Sequence, residues 1–368
     1  MAGNTIAQVL GAEVLLGLTG TYANELPIVH LPETLFRGRC VEQVGSNTGY
    51  VLVGAGTNKT AKIAQRGSPG RPLNVSGLSR RPEVLLHSGN TIEIKADVML
   101  NLKNPRTGMD EELARGEISR QVRETVVLSA NLRTQAITSL FGLGKIWYDA
   151  NGDALASSSN AVVTVDPGIP ANNLNQLNGL ITASWATTST PIVSNITTIS
   201  RQGLVNAKGR TGPIKHAVYG QKIFQYIYDN TEAQAYLARM PGGQQAFAKG
   251  VIPQGFAGID NWWPGYMGFY NNASDTTVFP FGDDTIAFFP EPDPSWYSLQ
   301  EGVEAVPTGA QTVAATLDEM FQNVGIKSGM FTYAVPRYNP LAAEMIFGDN
   351  FLPAIHIPEV VFIADVTP

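Results

Sequence analysis

The chain has 368 residues, 43% of them hydrophobic, enough for a sizeable core and one to three domains. Its 25 Lys and Arg against 31 Asp and Glu leave a net charge of −6, which argues against a dedicated nucleic-acid binder with a basic excess. A single cysteine, Cys40, excludes intrachain disulfides and a cysteine zinc site, and the four histidines (His30, His87, His216, His356) are too scattered for metal-ligand spacing.

Residues 1–45 combine a short apolar helix (Ile6, Val9, Leu10) with a proline-marked arm, "NELPIVHLPETLF". There is no basic residue before Arg37 and Glu13 interrupts the apolar run, so the start fits neither a secretory signal nor a membrane span and is expected to belong to a mature intracellular product. The arm has little core of its own and is expected to lie on something else.

Next comes "GYVLVGAGTNKT" at 49–60, an apolar strand running into a glycine loop that ends Lys-Thr. A phosphate-binding loop needs Gly directly before the Lys, but Asn58 precedes Lys59; the dinucleotide fingerprint needs a third Gly where Lys59 stands. Both also need a helix next, and the following segment holds Pro69, Pro72 and Pro82. Residues 46–100 instead suggest two strand-like ends, "YVLVG" and "TIEIKADVML", around a glycine- and proline-rich centre. From 51 to 95 seven cations (Lys59, Lys62, Arg66, Arg71, Arg80, Arg81, Lys95) face two glutamates, a net of +5. An isolated two-stranded ribbon is barely stable, and its tip, about 64–82, is expected to order only against a neighbour.

Residues 109–141 predict one long helix. Thr107 or Asn104 is placed to cap it, Asp110, Glu111 and Glu112 suit its first turn, and Gly142 and Gly144 its end. The expected apolar stripe is Ile118, Val122 and Val126, then Leu128, Leu132, Ala136 and Leu140. After it, "KIWYDANGDAL" carries Asn151-Gly152 between apolar runs, a hairpin signal. Residues 191–250 read as α/β: a helix near 194–207, a strand at "KHAVYG", and helices at 221–229 and 231–239.

Residues 250–326 contain no Lys or Arg but ten Asp and Glu, with dense aromatics. Asp283-Asp284 after Gly282 reads as a solvated turn rather than half of a catalytic carboxylate pair, and Trp262-Trp263 as core or interface rather than a stacking site for bases. The tail is β: "MFTYAV", "AEMIF" and "VVFIADV". No nucleophile elbow or zinc-protease motif occurs, so no catalytic residue, metal ligand or cofactor is assigned. What stands out is an arm and a basic ribbon that do not bury themselves, a long helix, and an acidic, aromatic C-terminal half. Such parts suit copies that cover one another, with charge setting register.

That order of parts resembles the major capsid proteins of tailed bacteriophages, of the Hong Kong 97-type fold and the lambda-type (gene E) family. The likeness rests on "DEELA" at 110–114 opening the long helix, on the hairpin "KIWYDANGDAL", and on the ending "FLPAIHIPEVVFIADV". The resemblance implies an α+β chain: an N-terminal arm (1–45), an extended E-loop (46–100), a P-domain (101–190) with spine helix 109–141, an A-domain (191–326) and returning P-domain strands (327–368). It implies a non-enzymatic, cofactor-free shell subunit that forms hexamers and pentamers in an icosahedral head. Such a subunit encloses double-stranded DNA without sequence-specific binding and is assembled in the host cytoplasm. Scaffolding, portal and decoration proteins are the implied partners, with no membrane. The short arm implies a separate scaffold or an already processed chain. Candidate intersubunit contacts are Lys59, Lys62, Arg66, Arg71, Arg80 and Arg81 on the ribbon and Asp283, Asp284, Glu291 and Asp293 on the acidic side. An encapsulin-like compartment shell and a β-rich carbohydrate-active enzyme are the alternatives.

Overall fold

A computed structural model describes residues 10, 12–25, 40–45, 48–53, 79–103, 108–177, 179–265, 268–271, 276–279, 281–307, 324–338 and 341–367. Lys59, Lys62, Arg66, Arg71, His30 and the expected caps Asn104 and Thr107 lie outside them, as do most of the expected arm and Ile6 and Val9.

Two sheets and one long helix organise the chain. The first sheet has six strands: β1 (Val41–Val44), β4 (Leu86–Ile94), β13 (Tyr297–Pro307), β14 (Val324–Ser328), β15 (Met330–Tyr338) and β16 (Leu341–Ile355). The 15-residue β16 is its hub, pairing antiparallel with β4, β15 and β13. The second sheet runs β7 (Leu174–Asn175), β17 (Phe362–Asp365), β12 (Thr285–Pro290), β8 (Ile214–Tyr219), β9 (Asn261–Pro264). Small two-stranded sheets join β2 (Thr48–Val53) to β3 (Ser79–Val84), β5 (Ile146–Tyr148) to β6 (Val163–Val165), and β10 (Phe269–Asn271) to β11 (Thr276–Val278).

Helix α1 spans Ala12–Glu25, beyond the expected helix at residues 6–10, most of which lies outside the described residues, and it packs on its own subunit. Leu15 is fully buried, Thr19 Oγ1 donates to Leu15 O and meets Thr332 Oγ1 (2.8 Å each), and the Tyr22 hydroxyl meets Ser119 at 2.8 Å. "TIEIKADVML" splits. Its first half ends β4, paired with β16 rather than with "YVLVG", and its second half opens helix α2 (Ala96–Lys103). The partner of β2 is "SRRPEV", so Arg80 and Arg81 belong to a strand and not to the ribbon's tip.

The long helix α3 runs Gly108–Leu143, 36 residues or about 54 Å. Acidic residues open it, and Gly144, in the left-handed region (φ 74°), closes it with its N–H on Leu140 O at 3.1 Å. The buried stripe is Ala114, Ile118, Val122, Val126, Ser129, Arg133, Ala136, Ile137, Leu140, Phe141. Leu128 is 61% exposed, contrary to expectation: at about 100° per residue it lies about 200° round from Val126 and cannot share its face.

The first half of α3 packs with Leu15, Ile94, Ala343, Met345 and Phe347. Its last turns enter a second core between the sheets, with Phe289, Trp296, Tyr297, Leu299, Phe351 and Ile363. A third core lies on the other face of the second sheet, under α4 (Ile192–Ala207), α5 (Ile223–Asp229), α6 (Thr231–Leu237) and α7 (Gly243–Ala248). Alternation along β12 divides its side chains: Ile286 and Phe288 face the helices, Ala287 and Phe289 face α3. This two-sided burial explains the unbroken apolar run "IAFF", and each fully buried Phe or Ile contributes roughly 1.5–3 kcal/mol. α4 ends where expected, at Lys208 and Gly209 with φ 49° and 76°. The Asn151-Gly152 turn forms around Asp149, whose carboxylate accepts from Asn151 N and Asp153 N at 2.8 and 2.9 Å. Beyond a single bridge from Tyr148 to Ala154, however, β5 takes β6 as its partner.

Candidate functional site

The ribbon β2–β3 is fixed to the first sheet at one end by side chains. Tyr50 faces Pro82 across the ribbon, and Pro82 has no N–H to offer. Tyr50 turns its own backbone groups the other way, to Gln300: its N–H donates to Gln300 Oε1 (2.8 Å) and its C=O accepts from Gln300 Nε2 (2.7 Å). Two residues on, Leu52 N–H donates to His356 Nδ1 at 3.2 Å. The amide of Gln300, fully buried, thus replaces a missing strand partner. It also explains Gly49: a Cβ there would stand 2.5 Å from Gln300 Oε1 and 2.8 Å from Leu352 Cδ2.

Tyr50 is a second clasp. Its hydroxyl donates to Glu42 on β1, its ring stacks on His356 at 5.9 Å, and the Arg80 guanidinium lies 4.4 Å from its centroid. Burial, then the Glu42 carboxylate, push the Tyr50 hydroxyl above its ordinary range. Arg81 pairs with Glu83 at 2.7 Å and donates to Asp166 O at 2.8 Å. Both described ribbon arginines are therefore engaged inside their own subunit.

The acidic segment draws its cations from elsewhere in the chain. Asp283 and Asp284, in a turn as expected, do converge: both reach Lys222 Nζ, at 3.6 and 3.1 Å, because turn residues are not held to opposite faces as strand residues are. Asp284 also accepts from the Tyr226 hydroxyl at 2.5 Å. The hydrogen bond it donates to Asp284 holds the Lys222 ammonium above its ordinary range. Glu291 meets His216 Nε2 at 2.7 Å, and Lys215 pairs with Asp260. Asp293 caps its own turn through Ser295 N at 2.8 Å. Trp262 is buried against Phe256 and Phe288, and Trp263 donates to His216 Nδ1 at 3.2 Å.

One charged centre escaped the sequence reading. Arg133, on the buried face of α3, is forked onto Asp349 at 2.7 and 2.6 Å and reaches Glu301 at 2.7 Å. Burial alone would depress the guanidinium, but the Asp349 and Glu301 carboxylates outweigh it and hold it above its ordinary range. Burial pushes the Asp349 carboxyl up, and Arg133 offsets only part of that. The signal was available: Arg133 falls in phase with Val122, Val126 and Leu140, and a cation within an apolar stripe needs a buried partner.

Among the described residues no group of three or more His, Cys, Asp or Glu could hold a metal ion, and no helix is long and apolar enough to cross a membrane. A cavity of about 280 Å³ beside α4 is lined by Asn173, Gln202, Asn206, Lys208, Glu359 and Phe362. Its amides already bond one another and the backbone, with Gln202 Nε2 on Asn206 Oδ1 at 2.8 Å and Asn206 Nδ2 on Glu359 O at 3.0 Å. The charged surfaces and the ribbon, rather than this cavity, are the candidate site.

Comparison with known proteins agrees with a shell subunit. The model of a family described as phage major capsid protein E matches residues 22–366. No individual curated protein sequence matches. Among solved structures, the chain is similar to the capsid protein of a prophage of E. coli CFT073. The TM-score is 0.52 at 11% identity, over 95% of this chain and 98% of that one. It is similar also to a phage-related protein of Bordetella bronchiseptica, with TM-score 0.51 at 10% identity, over 95% and 96%. The fold is of the Hong Kong 97 type, and the chain belongs to the phage major capsid protein E family, the structural subunits of the virion's head shell.

Proposed function

We propose that the subunits form hexamers and pentamers, closing in the host cytoplasm around double-stranded DNA that they hold without sequence-specific contacts. A scaffolding protein, a portal and decoration proteins are the proposed partners. In this reading residues 1–45 are the arm, 46–100 the E-loop, 101–190 with 327–368 the P-domain, and 191–326 the A-domain. The observation that carries it is the ribbon β2–β3: a two-stranded sheet clasped to its own subunit at one end and leading into residues 54–78, which hold Lys59, Lys62, Arg66 and Arg71. Among the described residues the two strands have no third, and such a pair is barely stable alone; in this reading a neighbouring subunit supplies what they lack.

Asp283, Asp284, Glu291 and Asp293 are proposed to face that ribbon across a subunit boundary. Two carboxylates share Lys222, which leaves negative charge over, and Asp283 and Glu291 keep 55% and 54% of their side chains exposed. Each such contact is worth roughly 0–1 kcal/mol and is screened by salt, so it acts through repetition over the shell.

Electron microscopy of the purified protein, with nuclease digestion before and after opening the particles, tests the reading. Closed shells holding nuclease-protected double-stranded DNA are expected. Shells filled with an enzyme instead of DNA would make it a compartment, and protein that forms no shells while cleaving polysaccharide would overturn the reading.

A further inference from the structure

The base of the ribbon is held by few bonds, and one of them depends on a proton. His356 is 5% exposed, with its backbone N–H on Trp296 O at 2.7 Å. Its Nδ1 accepts from Leu52 N–H at 3.2 Å, so the ring's proton sits on Nε2 and is donated to Ser298 Oγ at 2.9 Å. A second proton has only Nδ1 to go to. There it would meet the Leu52 N–H head-on, two donors with nitrogens 3.2 Å apart, and place a cation in a site closed to water. The Gln300 amide, a further tether of β2, does not titrate.

We propose that the joint between ribbon and shell subunit is releasable, with the His356 imidazole as its proton-operated catch. Neutral, the ring holds Leu52 and stacks on Tyr50; protonated, it expels the Leu52 amide, and β2 stays tethered at Tyr50, through Gln300 and Glu42, as a pivot. The charged and titratable groups at this corner are Glu42 on β1, Tyr50 on β2 and Arg80 on β3. Glu42 favours the protonated ring, while Arg80 is spent on the Tyr50 ring. Burial outweighs Glu42 and lowers the imidazole below its ordinary range. The released form therefore binds the proton more tightly than the clasped form. Clasping is complete above the ordinary histidine range and weakens as pH falls through it, at most tenfold per pH unit because one proton is involved. The inference rests on reading β2–β3 as the ribbon that reaches a neighbour, and makes acidification a signal for re-aiming it.

The test is amide hydrogen exchange of residues 48–53 in the purified full chain, from pH 8 to pH 5, corrected for intrinsic rates, with residues 122–141 of α3 as internal reference. Wild type should lose protection at Leu52 as pH falls while α3 keeps its own. His356→Asn places a non-titrating acceptor near the Nδ1 position and should give a flat profile. Should that variant not fold, the imidazole titration of wild type, followed by NMR, must share its midpoint with the exchange profile. A flat wild-type profile, an unchanged profile in His356→Asn, or midpoints that differ each overturn the catch. Closed shells seen alongside a flat profile would sink the catch and leave the capsid reading standing; absence of shells at every pH would do the reverse.

Discussion

Removing Arg133 should be the most costly single truncation along α3. Its guanidinium is 7% exposed and serves two carboxylates, of which Asp349 is fully buried. Arg133→Met keeps most of the packing and takes away the charge, so Asp349 is left as an uncompensated anion. Breaking a buried pair in this way costs about 3–5 kcal/mol, against roughly 0.5 kcal/mol or less for the exposed Arg115–Glu111 pair on the same helix. Urea unfolding of unassembled subunits, followed by circular dichroism, reads the difference; Arg115→Met is the control.

The sign with pH is fixed too. An orphaned Asp349 has a folded pKa above its unfolded value, so the stability it contributes is present when it is protonated, at low pH, and is lost as pH rises through the folded pKa. The deficit of Arg133→Met relative to wild type should therefore shrink between pH 7 and pH 4.5. Replacing Arg133 and Asp349 together by Met and Leu should cost less than Arg133→Met alone. A loss below about 1 kcal/mol at pH 7, or a deficit that widens in acid, would refute the account.

Gly49→Val should force Gln300 off the Tyr50 backbone at a cost of about 1–3 kcal/mol, read as lost exchange protection at Tyr50; unchanged protection would count against the Gln300 clasp. Val122→Pro, inside α3 at a fully buried position, should cost about 3 kcal/mol or more and abolish assembly, and normal shells from it would contradict the helix's role as the rigid element. Reversing Lys59, Lys62 and Arg66 together to Glu should leave circular dichroism unchanged and block or misdirect assembly, whereas Lys59→Ala alone should do little; wild-type shells from the triple variant would remove the charge argument.

Much of the fold was legible because its elements carry local signals. The long helix announced itself through acidic residues at one end and glycine at the other, and α4 to α6 were found close to their limits. The pairing of strands was not legible. "YVLVG" and "TIEI" each read as strands, yet nothing local says that the first pairs with "SRRPEV" and the second with a strand some 250 residues later. Charge counting found the acidic segment but not its partners, since Lys215, Lys222 and Arg133 come from other parts of the chain. The clasp was hidden for a similar reason: Gln300 and His356 are ordinary residues in sequence, and only the fold brings them to Tyr50 and Leu52.

The position of β16 at the hub of the first sheet bears on the order in which a nascent chain acquires structure. The core under α4 to α7 draws mostly on residues 177–288, a nearly continuous stretch, with only β17 arriving from the end of the chain. β1 and β4 wait much longer: their partners β13 and β16 leave the ribosome some 250 residues after them. At about 5–20 residues per second the ribbon and the long helix spend tens of seconds or less without a sheet to stand on. The Tyr50 clasp lacks Gln300 until β13 is made, and the Leu52 bond lacks His356 until all of β16 has been made. A half-made subunit therefore has no clasped ribbon, and on the proposed reading of β2–β3 as the part that reaches a neighbour, it has nothing aimed to offer one until β16 and His356 are made.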